Sequence, residues 1–299
     1  MKKLFDHKFF QQYTNAEWII LKISFCWCWV GAIGISTFSH ESVPYPSGIC
    51  SLFDCSFLVT WHIYYGFYFT TLLLALLYIL EKKMVVVTSL MCLMSLVVFT
   101  LEESSGILNR NTLYTLIFLV QAVAYFRNSP SHKTERIQFP IQMIAAGYML
   151  AGISKLTESG LGWITDAPLA SIQIIKNYGF SYFDTGDISF LNEGLSKVDV
   201  LLAHPFFAKL LFAFTLFLEL FAWLAVKNKL RSFIYGLLLT SMHIGILYFM
   251  NIFIEGIFYP MFIFMVNPFY LLYFLSKGLY KKSGLQLHHT IARKFTKQV

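Results

Sequence analysis

Eight apolar runs, joined mostly by short links, restrict this chain more than any other feature of its sequence. They lie near 18–38, 58–80, 84–101, 112–126, 138–156, 208–226, 232–250 and 253–275. Each is long enough, or nearly so, to cross the roughly 30 Å of hydrocarbon in a bilayer. A backbone in lipid has no water to bond, so such runs fold as helices. Composition agrees, because only 13% of residues are charged and mean hydropathy is +0.61, whereas about a quarter are charged in soluble domains. The expected fold class is therefore all-α. It is a polytopic integral membrane bundle of about eight transmembrane helices, with residues 1–299 forming a single membrane domain.

A net charge of +7 would suit a nucleic-acid binder, but the cations cluster in the links between apolar runs. The expected partner is the lipid bilayer, with no nucleic acid. With the N-terminus inside, segments 1–17, 81–83, 127–137, 227–231 and 276–299 carry 17 of the 23 Lys and Arg. Ten of the sixteen acids fall on the other side. The positive-inside rule then places both termini in the cytoplasm, with 276–299 a basic tail on the cytoplasmic leaflet. The first apolar run lacks a small-residue cleavage site and reads as a retained helix rather than a signal peptide.

One connection is long. Residues 157–207 contain "APLASIQIIKNYGF", whose irregular helical spacing predicts an amphipathic helix at the interface and an extracytoplasmic cap. In the first outer loop, Cys50 and Cys55 bracket "CSLFDC". They are either a disulfide closing a small loop or two buried thiols. Cys26, Cys28 and Cys92 lie in apolar runs and read as packing residues.

Ionisable groups within a bilayer persist mainly when paired or functional. Lys155, Glu219, His243 and, less clearly, Glu255 are such groups. Lys155 has two readings. Its stem can stay apolar while the ammonium snorkels to the surface, or the small residues Gly147, Ala151, Gly152 and Ser154 can turn this face into the bundle. A desolvated amine there becomes a base, unless Glu158 pairs with it. Glu219, amid apolar neighbours, must be neutral or partnered. His243 is either a hydrogen-bonded structural residue or a catalyst. Glu102, Glu103 and Arg110 read as an ion-paired loop anchor. No phosphate loop, HExxH, GxSxG or zinc-spaced Cys/His set is present, and no metal is expected.

The stretch "YMLAGISKLTESGLGW" resembles the signature of the vitamin K-dependent γ-carboxylase-like membrane domain, the horizontally transferred transmembrane (HTTM) family. It carries the aromatic Tyr148, the pair Ala151–Gly152, Lys155–Leu156 and Trp163. "LFLELFAWLA" is similar to the family's glutamate-bearing helix, and "MHIGILYFMNIFIEGIFYPMFIFMVNP" to its histidine-bearing helix pair. The resemblance implies that Lys155 helps oxygenate a vitamin K or menaquinone hydroquinone. It implies a pocket shaped by Glu219, His243, Tyr148 and Trp163. Where the carboxylases carry a histidine ahead of an LYxL-type helix, this chain reads "NRNTLYTL", placing Arg110 or Asn111 there. With only a short tail after its last apolar run, the chain is expected to lack the carboxylases' β-rich substrate-gripping domain. It resembles instead the stand-alone bacterial members, one of which serves in maturing a secreted peptide toxin.

Three functional readings follow. The first is a multi-pass enzyme of a bacterial inner membrane, acting at the outer face on a quinol, a secreted peptide or both, with Lys155 as base. The second is a non-catalytic membrane partner protein for maturation of, or immunity to, a peptide, in which Lys155 and Glu219 are a structural pair. The third is a small quinone-oxidoreductase subunit. What Lys155 faces, a cavity or a carboxylate, separates the first two.

Overall fold

The computed structural model describes residues 13–38, 45–105, 111–127 and 132–272. Among these the chain is all-helical, with no strand. The long helices are α1 (Asn15–Phe38), α2 (Trp61–Ile79), α3 (Met84–Ser104), α4 (Thr112–Phe126) and α5 (His132–Ser159). After them come α6 (Gly162–Thr165), α7 (Ala170–Thr185), α8 (Ser189–Ala203), α9 (Pro205–Leu220), α10 (Lys229–Met250) and α11 (Glu255–Met261). The basic tail 276–299 lies outside the described residues.

Every expected apolar run overlaps a helix, but their lengths differ. Four helices are long and apolar enough to cross a membrane: Asn15–Gly34, Met84–Ser104, Thr134–Ser159 and Lys229–Met250. A fifth is added if α8 and α9 count as one bent span. Ile63–Ile79, Thr112–Phe126 and Glu255–Val266 are shorter apolar helices. The expected run 208–226 is broken, because α9 stops at Leu220 and a 3-10 helix continues it over Ala222–Lys227.

The packing is that of helices in an apolar medium, with small polar groups buried among aromatic rings and many further large apolar side chains facing outward. Thr71, Thr88, Ser95 and Gln121 are fully buried. Each returns its polar atoms to the fold: Thr71 and Thr88 donate to carbonyls of their own helices, and Trp29 Nε1 donates to Ser95 Oγ at 2.7 Å. Gln121 accepts from the Tyr78 hydroxyl at 2.9 Å and donates to the Arg136 carbonyl at 3.1 Å. Outward-facing stripes on α2 (Phe69, Leu72, Leu73, Leu76) and α3 (Val86, Leu90, Leu93) recur at helical spacing. Lipid can cover such stripes, whereas water would penalise them. Between them lies an aromatic core, with Phe25 against Phe118 and Phe264, each at 5.0 Å between ring centres.

The bundle has two unlike ends. The basic end holds the starts of α1, α5 and α10. There Thr14 and Glu17 form a capping box, in which Thr14 N donates to Glu17 Oε2 at 2.7 Å and Glu17 N donates to Thr14 Oγ1 at 3.2 Å. Glu17 Oε1 also meets Lys229 Nζ at 2.5 Å and accepts from Asn267 Nδ2 at 3.0 Å, tying α1 to α10 and to the far end of α11. Asn267 reaches it because the chain after α11 widens into a π-helix over Phe262–Val266. That segment lies flush on α10 at Gly236, where a Cβ would stand 2.7 Å from Val266 N. Nearby, Glu81 takes Lys22 Nζ and Trp18 Nε1, both at 2.7 Å, with Arg136 at 3.6 Å. Its φ of 55° is left-handed, a conformation costing a non-glycine residue on the order of 1 kcal/mol; the three partners offset it.

The capped end carries α6–α8. A helix, α7, does occupy most of "APLASIQIIKNYGF", and a second of similar length, α8, packs against it as a hairpin. Gly194 of α8 lies against Tyr178 of α7, where a Cβ would come within 2.7 Å of the tyrosine Cβ. Asn177 Nδ2 donates to the Met250 carbonyl at 2.7 Å, and Asn251 Nδ2 to Ser181 Oγ at 2.9 Å, pinning the hairpin to the end of α10. Between α8 and α9 the axis turns by 94°. Pro205 disfavours helical geometry at His204, which adopts φ −125° and ψ 60°. At the same end, Cys50 and Cys55 are joined by a disulfide, and Ser47 N donates to Ser104 Oγ at 2.9 Å.

Candidate functional site

The polar belt near the capped end is built on one face of α5. Tyr148, Gly152 and Lys155 recur at positions i, i+4 and i+7, so they stack on a single stripe. Of the four small residues expected to turn inward, only Gly152 does. Gly147, Ala151 and Ser154 share the neighbouring face and point outward, because the 3.6-residue period separates the two rows by about one position. A Cβ on Gly152 would meet Glu219 Cβ at 3.1 Å, so its bareness lets α9 approach.

That approach decides the partner of Lys155. Its ammonium forms an ion pair with Glu219 Oε1, with the lysine side chain 23% exposed and the glutamate 5%. Glu158, the alternative partner, instead accepts from Ser154 Oγ at 2.8 Å. The other face of the ammonium lies 4.7 Å from the centre of the Trp163 ring on α6, a cation–π contact. Glu219 Oε2 is buried without a hydrogen-bond partner, and so is Trp163 Nε1. Buried polar atoms are seldom left so, and the lone pairs of this oxygen are open to a hydrogen-bond donor.

One layer deeper, Tyr148 and His243 share a hydrogen bond of 2.6 Å between the hydroxyl and Nε2, with Met261 Sδ 3.2 Å from the same hydroxyl. These contacts join α5, α10 and α11. His243 thus has the structural partner that one of its two readings required. Glu255, the fourth intramembrane group, is exposed at the first turn of α11.

A cavity of about 320 Å³ opens beneath the cap, lined by Ser159, Trp163, Asp166, Gln173, Phe212 and Met250 among others. Trp163 is common to the cavity and to the ion pair; Lys155 and Glu219 are not on the cavity wall. Lys155 therefore faces a carboxylate, and the cavity does not touch the amine but shares Trp163 with it.

Two expected pocket residues lie elsewhere or beyond description. Asn111 Nδ2 donates to Glu102 at 3.2 Å and belongs to the α3–α4 turn. Arg110 lies outside the described residues. Among the described residues, no group of three His, Cys, Asp or Glu is placed to hold a metal ion. Sequence reasoning passed over Met261, for which no motif exists. It also passed over Glu17, whose T-x-x-E spacing from Thr14 was a legible capping signal.

No family model matches the chain, and no curated protein or solved structure does either. The HTTM resemblance rests on the quoted residues alone.

Proposed function

We propose that this is a multi-pass membrane enzyme with eight spans, both termini cytoplasmic and the cap outside, set in a bacterial inner membrane. It acts at the outer face on a lipid-soluble quinol, a secreted peptide, or both. The observation that carries the reading is the unpartnered Glu219 oxygen, held beside Lys155 and one aromatic ring from the cavity. In this scheme Trp163 swings aside when a quinol enters. The quinol O–H breaks, its proton goes to Glu219 Oε2, and the carboxyl becomes neutral. The Lys155 ammonium, released from its partner, then stabilises the quinolate. Lys155 thus acts first as the counter-ion of Glu219, which modifies the role that the HTTM resemblance implies for it.

A specific observation favours a second reading, the non-catalytic membrane partner. Lys155 is already satisfied by Glu219 and Trp163, and Tyr148 by His243, so the belt can serve simply to clamp α5, α9, α10 and α11.

Purification in mild detergent, lipid extraction and mass spectrometry separate the two. The enzyme reading expects a quinone recovered with the wild type. It expects that quinone to be lost from Trp163→Ala and from the paired exchange Lys155→Met with Glu219→Leu, which leaves no orphaned charge. Recovery unchanged in both variants, or no quinone in folded wild type, establishes the clamp instead.

A further inference from the structure

We propose that a second cavity, at the basic end, binds the phosphate of an anionic headgroup. It measures about 110 Å³, room for a phosphate-sized group, and its polar lining is Tyr13, Gln138, Lys227, Asn228 and Lys229. No acid lines it. The acid beside it, Glu17, is fully engaged: Oε1 meets Lys229 and Asn267, and Oε2 accepts from Thr14 N and from Thr14 Oγ1 at 3.0 Å. Glu17 and Lys229 cancel in charge, so Lys227 leaves the lining with one net positive charge. Lys227 is exposed, its ammonium 4.5 Å from the centre of the Trp223 ring. Burial, with Glu17 and Tyr270 adding to it, pushes the Tyr13 phenol above its usual value, so the hydroxyl keeps its proton and remains a donor. Gln138 and Asn228 supply amide donors.

The position of the cavity selects the source of the phosphate. Its wall includes the start of α10 and the residue leading into α1, where two candidate spans begin. Apolar helix gives way to basic link at that level, where phospholipid phosphates lie. Ile141 and Val226 add an aliphatic side that suits the glycerol and upper chain of a lipid better than a free ion. This inference does not depend on the quinol reading, whose cavity lies at the other end.

The test is thermal unfolding of the full chain in detergent, read by tryptophan fluorescence, with phosphatidylglycerol, phosphatidylcholine or inorganic phosphate added. Phosphatidylglycerol is expected to raise the wild-type midpoint by about 5 °C when present at roughly 100 times its Kd, and phosphatidylcholine is not. Lys227→Gln and Gln138→Leu, both at exposed positions, are expected to keep the lipid-free midpoint and lose at least half of that shift. Mass spectrometry of phosphatidylglycerol retained through gel filtration gives the same comparison without unfolding. A shift from inorganic phosphate alone, weakened by the same variants, assigns the same donors to a free anion. An equal shift from phosphatidylcholine, or an undiminished one in both variants, overturns the site.

Discussion

The two ends of the bundle each hold a lysine–glutamate pair between helices, and the pairs differ in how completely they are satisfied. At the basic end, Glu17 is 0% exposed and the Lys229 side chain 3%. Both Glu17 oxygens are filled, by Lys229 and Asn267 on one side and by Thr14 on the other. Near the capped end, Glu219 keeps one oxygen empty and Lys155 retains a partly open flank. A closed network ties three segments together at once and leaves no carboxylate lone pair open to a ligand. An open one leaves a lone pair and a partly exposed cation, which the proposed scheme uses. The same residue types therefore serve architecture at one end and are available for chemistry at the other.

The contrast predicts a ranking. Glu17→Ala strands a buried ammonium and should destabilise by about 3–5 kcal/mol, read as lost yield or a lower unfolding midpoint in detergent. Glu219→Ala should lower the midpoint by less than half as much, because Lys155 can turn its ammonium outward. Equal losses would erase the distinction between the ends. Replacing the capped-end pair by Met and Leu should leave stability within about 1 kcal/mol of wild type while abolishing quinone retention. A large loss of stability would mean that this pair, too, is architectural.

Acid should loosen the basic end. Burial alone would raise the Glu81 carboxyl; Lys22, Trp18 and Arg136 outweigh it and hold the group below its usual value. A carboxyl lowered in the folded state contributes stability above its unfolded pKa of about 4.3, lost as pH falls through the folded value. Midpoints measured from pH 6 down to pH 3 should fall for wild type and flatten in Glu81→Gln. The smallest effect belongs to Tyr148→Phe, at roughly 0.6 kcal/mol, the usual worth of one hydrogen bond between membrane helices. That variant should leave quinone recovery unchanged.

The helices were legible in the sequence because hydropathy sets them, and each apolar run does contain one. Their ends and breaks were less so: the stop at Leu220 has no proline or glycine to mark it. Lys155 and Glu219 were individually conspicuous as charges in apolar surroundings. Their union across 64 positions was one of two pairings open to the sequence, the other being Lys155 with Glu158, and only the crossing of α9 over Gly152 decides between them. The small residues before Lys155 signalled a close helix contact, but composition could not say which of two adjacent rows makes it. Asn267 meeting Glu17 across 250 positions depends on the tertiary fold as a whole.

The widened turn over Phe262–Val266 acts as a one-residue register shim. Rewinding these same residues as ordinary α-helix would rotate everything beyond them by about 100°. Asn267 would then swing away from Glu17, and the seam between the first and last helices would lose its only bond from that residue's side-chain amide. The widened turn is thus a lever on how α1 meets the segment after α11.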